Sequence, residues 1–112
     1  MISSDRRPWG RWEEYLNEPG YRVKRLVLDP GKRISLQSHQ KRSEHWVVVS
    51  GEGLATVDGG ETTVRTGDTV FVPRQGIHRL SNVGESDLIV IETQIGECLE
   101  EDIARFADDF GR

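Results

Sequence analysis

The sequence has one cysteine, Cys98, so no internal disulfide is available, and a reducing compartment, the cytoplasm, fits that usage best. Long apolar runs are also missing. The longest, residues 46–49 and 88–91, are far shorter than the roughly twenty residues that cross a bilayer as a helix, so no membrane partner is expected. Residues 1–7 carry charges with no apolar stretch behind them, which argues against a secretory signal. There is no excess of basic residues: 15 Lys and Arg face 19 Asp and Glu, a net charge of −4, which argues against an obligate nucleic-acid binder. At 112 residues the chain has room for one domain, and no internal boundary, repeat or low-complexity segment divides it.

The charge that is present is unevenly placed. Residues 1–45 hold ten Lys or Arg and six Asp or Glu, whereas residues 97–112 hold two and six. A basic first third next to a pocket favours an anionic ligand.

Twelve glycines punctuate the chain, and most of them end runs of alternating polar and apolar residues. Strands are predicted over residues 21–28, 33–39, 44–50, 53–57, 61–65, 69–72, 78–82 and 88–94, with a hairpin turn at Asp58-Gly59-Gly60. Many short strands with regular turns indicate an all-β sandwich or barrel. Residues 1–20 read as an N-terminal arm. Leu99, Ile103, Phe106 and Phe110 fall at helical spacing, so residues 97–112 are predicted to end in a short amphipathic helix against the barrel.

Two histidines stand inside spaced patterns. Gly31 is followed after five residues by Gln37-Ser38-His39, after four more by Glu44, and after six more by Gly51. Gly67 is followed after five residues by Pro73, then by Gly76 and His78, and after three more by Asn82. Gln37 and His39 are two apart on one strand and share a face. With Glu44 and His78 they form a mixed nitrogen and oxygen set suited to a divalent first-row ion, zinc first, then Mn²⁺, Fe²⁺, Ni²⁺ or Co²⁺. Positions left to water or substrate would make such a centre catalytic.

These blocks resemble the two motifs of the cupin superfamily, which implies a double-stranded jelly-roll barrel with the metal on Gln37, His39, Glu44 and His78. Gln37 stands where most cupins have histidine, and Gly76 is one place later than the usual glycine. The longer stretch from Gln37 to Gly51, with Arg42-Ser43-Glu44-His45-Trp46 at its centre, more closely resembles the isomerase domain of type II mannose-6-phosphate isomerases. Arg7-Pro8-Trp9-Gly10, the segment 20–25 and the closing segments 96–103 and 109–112 extend that resemblance over nearly the whole chain. Trp12, Cys98 and Phe110 depart from it, each standing where a tyrosine is usual. In that family the domain follows a guanylyltransferase domain. No Gly-rich nucleotide loop occurs in these residues, so a stand-alone isomerase domain without nucleotidyl transfer is expected.

The resemblance implies interconversion of mannose 6-phosphate and fructose 6-phosphate. That reaction needs a base between C1 and C2, a cation at the reacting oxygens and a grip on phosphate. Arg7, Lys24, Arg33 and Arg42 are the candidates for the phosphate, guanidinium groups being suited to it by their fork geometry. Arg42 lies between two of the metal ligands in sequence. Leu88, Val90, Glu92 and Gln94 share a strand face, and a carboxylate at the end of an apolar row is out of place unless it lines a polar pocket. Glu92 is therefore the first candidate base. His45 is the second, although its parity is opposite to that of Glu44. Two alternatives stand beside the isomerase: a non-catalytic metal-containing cupin that binds a sugar phosphate or nucleotide sugar, and a different metal-cupin reaction. If Glu44, Trp46 and Val48 face inward, His45, Val47 and Val49 face outward, as would Ile34 and Leu36. Exposed apolar rows of this kind predict a homodimer.

Overall fold

The structure is a computed structural model of the chain and describes residues 1–111. Among the described residues there are eleven strands and no helix: β1 (Ser3–Arg7), β2 (Gly10–Glu18), β3 (Tyr21–Leu28), β4 (Leu36–Ser38), β5 (Arg42–Ser50), β6 (Glu52–Val57), β7 (Gly60–Arg65), β8 (Thr69–Val72), β9 (His78–Asn82), β10 (Leu88–Gly96) and β11 (Ala104–Ala107). They form a six-stranded sheet in the order β1-β2-β3-β10-β5-β8 and a five-stranded sheet in the order β11-β4-β9-β6-β7, with antiparallel pairing throughout. None of the described residues belongs to a helix long and apolar enough to cross a membrane.

Period-two alternation explains the layering. Along β5, Glu44, Trp46 and Val48 are buried while His45, Val47 and Val49 are exposed. Along β10, Leu88, Val90, Glu92 and Gln94 are buried. Register then aligns like with like. Val90 lies opposite Leu26 and Val48, Glu92 opposite Lys24 and Trp46, and Gln94 opposite Arg22 and Glu44. One end of the barrel is therefore apolar, closed by Leu28, Val48, Val64, Leu80 and Leu88. The other end collects buried polar groups, and the site lies there.

Three sequence expectations differ from the structure. Residues 97–112 form no helix within the described part. Residues 97–103 cross the polar end of the barrel, and β11 pairs with β4, Arg105 opposite Gln37. The unpaired edge of β4 is satisfied by a strand and not by a helix. Asp102 also turns its carboxylate to the backbone N–H groups of Gln40 and Lys41, long-range bonds that tie the segment down in a non-helical course. Leu99 and Phe106 remain exposed, so the helical spacing of the four apolar residues marks no common buried stripe.

Ile34, expected outward, is in the core. Arg33 makes only an isolated bridge to Ser81 and β4 begins at Leu36, so strand parity does not carry through residues 33–36. Residues 1–20, read as an arm, form the β1–β2 hairpin on the edge of the larger sheet.

One glycine is tied to the placement of the site. Gly96 has φ +126°, and a Cβ there would lie 2.3 Å from the Lys41 carbonyl oxygen. This contact closes β10 against the start of β5, which carries Arg42 and Glu44. Gly96→Ala is expected to destabilise the fold by about 2 kcal/mol or more, read as a lower urea midpoint at unchanged slope.

Candidate active site

The polar end encloses a cavity of about 110 Å³ whose walls come from both sheets. One water needs roughly 10–15 Å³ of such space, so the cavity admits the reacting end of a small molecule and not a peptide segment. Gln37, His39, Arg42, Glu44 and His78 line it, as do Lys24, Glu92 and Gln94 from the larger sheet.

His39, Glu44 and His78 converge, each offering one ligand atom within 4.8 Å of the others, and all three are buried. His39 Nδ1 lies 2.6 Å from the Asp102 carbonyl oxygen and His78 Nδ1 lies 3.0 Å from that of Gly76. A carbonyl only accepts, so both protons are on Nδ1 and both Nε2 lone pairs face inward. They meet Glu44 at 3.3 Å and 3.6 Å. Burial, reinforced by the Arg42 charge, pushes His39 down to about 4, and burial lowers His78 as well. Both rings are therefore neutral near pH 7, and neither contact with Glu44 is an ion pair. Three acceptors facing one another repel unless a cation joins them. Arg42 already answers part of that demand: it donates from Nε to Glu44 Oε2 at 3.1 Å, and its NH2 lies 3.2 Å from His39 Nε2. The donor set fits a divalent ion. Gln37 lines the same cavity directly across from His78 in the β4–β9 pair.

Glu92 is next to this group. Trp46 Nε1 donates to Glu92 Oε2 at 3.2 Å and to Glu44 Oε1 at 3.4 Å, and Gln94 Nε2 donates to Glu92 Oε1 at 2.7 Å. Burial first, and then the neighbouring Glu44 charge, push the Glu92 carboxyl up to about 7. A carboxylate so placed exchanges protons near neutrality.

The cations divide by position. Lys24 is buried, lies 4.3 Å from the Trp12 ring centre, and donates to Glu100 Oε1 at 3.0 Å. Arg22, also buried, donates to Glu14 Oε1 at 2.6 Å and to Glu100 Oε1 at 2.7 Å. Burial would raise the Glu100 carboxyl, but these two cations hold it at about 2. Arg7 lines the cavity while paired with Asp5. Arg33 does not line it. Its guanidinium is engaged by both oxygens of Asp109, because Arg33 precedes the break before β4 and faces the tail.

His45 is exposed on the outer face, its ring 4.8 Å from that of Phe71, and does not reach the cavity. Lining residues not selected from the sequence include Trp12, Ser35, Glu100 and Arg105, although Ser35 has the spacing of Gln37 and His39. Gln94 carried a signal, its shared face with Glu92. Glu100 and Arg105 lie in the segment misread as a helix.

The family described as Mannose-6-phosphate isomerase C-terminal matches residues 2–108. Over 107 residues the chain is 40% identical to a mannose-1-phosphate guanylyltransferase of Escherichia coli K12 and 39% identical to the alginate biosynthesis protein AlgA of Pseudomonas aeruginosa. In both cases the match covers 95% of this chain and 22% of the relative, so the chain spans about a fifth of their length. Among solved structures, the cupin domain of Schizosaccharomyces pombe Cnp3 superposes with a TM-score of 0.75 at 14% identity, over 78% of this chain and 64% of that one. A two-sheet antiparallel barrel with this likeness is a cupin jelly roll. With its motif residues gathered at one end of that barrel, the chain belongs to the mannose-6-phosphate isomerase C-terminal family.

Proposed function

We propose that this domain interconverts mannose 6-phosphate and fructose 6-phosphate. The observation that carries the reading is the junction of His39, Glu44 and His78 with a buried, proton-exchanging carboxylate, Glu92, in one small cavity. The family match and the mannose-related names of the relatives support the sugar.

His39, Glu44 and His78, with Gln37 as a fourth donor, would hold a divalent ion, zinc before manganese, iron, nickel or cobalt. Such an ion, when bound, polarises a carbonyl and lowers the energy of the oxygens that become negative as a carbon-bound proton leaves. Glu92 takes the C2 proton of the open-chain aldose and returns it to C1 while the hydroxyl proton passes from O2 to O1, and the reverse reaction retraces that path. Trp46 and Gln94 hold the two Glu92 oxygens in place, so the base does not need to be ordered when substrate arrives. Arg42, bonded to Glu44, is a cation at the reacting end. Lys24 and Arg7 are the phosphate partners among the residues selected from sequence, and the Glu100 carboxylate must give up Lys24 to the incoming phosphate. Arg33, turned to Asp109, takes no part.

The test is a coupled assay of mannose 6-phosphate conversion after reconstitution with each divalent ion in turn. Turnover that vanishes on chelation is expected. Binding of the sugar phosphate by folded, metal-loaded protein without any product would favour the non-catalytic cupin instead.

A second copy of the chain is proposed to cover the outer face of the larger sheet, where Val47, Val49, Phe71 and Ile95 are all more than 40% exposed. Light scattering is expected to give twice the 12.7 kDa chain mass. Val47→Glu is expected to give the monomer, and a monomeric wild type at micromolar concentration would exclude the dimer.

A further inference from the structure

Two buried polar atoms have no hydrogen-bond partner among the described residues: Ser35 Oγ and Gln94 Oε1. Both residues are 1% exposed, and both line the cavity. They belong to opposite walls, Gln94 to β10 of the larger sheet and Ser35 to the irregular stretch before β4 of the smaller one. Buried polar groups are nearly always paired, and two exceptions at one cavity call for a ligand that pairs them.

The amide of Gln94 cannot simply turn over to relieve its oxygen. With Glu92 ionised, the form in which it acts as a base, Nε2 is committed to Glu92 Oε1 at 2.7 Å, and reversing the amide would set its oxygen against a carboxylate oxygen. Oε1 therefore stands as a fixed acceptor beside the base. Ser35 supplies a hydroxyl that both donates and accepts. A ligand that satisfies the pair must present a donor to one wall and a second hydrogen-bonding group to the other, as a chain of hydroxyl-bearing carbons does.

We propose that Gln94 and Ser35 are the residues that recognise substrate hydroxyls, and that Gln94 Oε1 accepts a hydrogen bond from the hydroxyl next to the reacting carbons, O3 of a hexose 6-phosphate. The assignment to O3 rests on the isomerase reading, since it follows from the bond between Gln94 and the base. A site with a buried acceptor rejects an analogue that lacks the donor far more strongly than an apolar pocket rejects a missing methylene. Gln94 is then a specificity-determining residue, and it positions Glu92 through its other end.

Calorimetric titration of the zinc-loaded chain with mannose 6-phosphate, its 3-deoxy analogue and inorganic phosphate tests this. Wild type is expected to bind mannose 6-phosphate at least about tenfold tighter than the 3-deoxy compound. Gln94→Met is expected to lose that discrimination by weakening only the hydroxylated ligand. Ser35→Ala removes a hydroxyl that nothing in the protein uses. It is expected to melt at or above the wild-type temperature without ligand and to bind mannose 6-phosphate several-fold more weakly. Inorganic phosphate should bind all three proteins alike. Full affinity and discrimination in both variants would overturn the proposal, as would a parallel loss of inorganic phosphate binding. A wild type that shows the discrimination yet forms no product overturns the isomerase reading alone. A wild type that turns over while Gln94→Met keeps full discrimination overturns this proposal alone.

Discussion

Replacing His78 by alanine is expected to reduce turnover about a thousandfold and to abolish stoichiometric metal binding. Stabilisation of developing charge by a bound cation is worth several kcal/mol, and each 1.4 kcal/mol is about tenfold in rate. His78 offers Nε2 to the shared centre because its Nδ1 is held on the Gly76 carbonyl. Without the ring only His39, Glu44 and the neutral amide of Gln37 remain to hold an ion, with Arg42 competing for both His39 and Glu44, and such a site does not hold a divalent ion at micromolar concentration. The ring also packs edge-on against Trp46, with centroids 5.7 Å apart, so a fold check by circular dichroism accompanies the assay. His45→Ala is the control. Its ring is on the outer face against Phe71, and both metal content and turnover are expected to stay at wild-type levels.

Glu92→Gln is expected to lower kcat by between about a hundredfold and ten-thousandfold, the range for loss of a general base, with little change in KM. Its effect on stability has the opposite sign. The folded carboxyl is raised from an ordinary 4.5 to about 7, chiefly by burial and then by Glu44. A raised folded value favours the protonated form, so the contribution of Glu92 to stability is complete below pH 4.5 and is lost as pH rises through 7. The loss is on the order of 3 kcal/mol by pH 8. The neutral amide does not pay it. In the metal-free protein, Glu92→Gln is expected to melt well above wild type at pH 8, and the gap is expected to close by pH 5. Wild-type turnover should rise with pH on an acidic limb as Glu92 ionises. Equal melting gaps at both values would show that Glu92 does not titrate in this range.

Much of this site is legible in the sequence because strand geometry is strict. Alternation with period two puts Glu44 and Trp46 on one face of β5 and Glu92 and Gln94 on one face of β10, and it turns His45 outward. The motif spacing marks His39, Glu44 and His78, and the three converge in space. Strand limits over 21–28, 69–72 and 78–82 coincide with β3, β8 and β9 because glycine, proline or charged turns bound them.

The failures occur where parity has no hold on the chain. Arg33 and Ile34 precede a short strand and sit in irregular backbone, so a face assigned by counting from His39 does not apply to them. The tail forms no helix among the described residues, since apolar residues at helical spacing say nothing about competition from an unpaired sheet edge. Settling that competition takes the β4 edge and the Asp102 bonds to residues 40 and 41, which are contacts across more than sixty residues of sequence. Glu100 and Arg105 reach the cavity through that same segment, and no local pattern marks them. Glu100 bears on the proposed phosphate end because it holds two buried cations at once.

Glu92 is proposed to move a proton between adjacent carbons of a sugar phosphate at a centre held by His39, Glu44 and His78. The most direct measurement is proton NMR of mannose 6-phosphate in deuterated buffer with the zinc-loaded chain. Wild type is expected to form fructose 6-phosphate and, over time, to carry deuterium at the reacting carbons, whereas Glu92→Gln, folded and metal-loaded, is expected to leave both signals unchanged. Folded, metal-loaded wild type that forms no fructose 6-phosphate and exchanges no carbon-bound proton would contradict it.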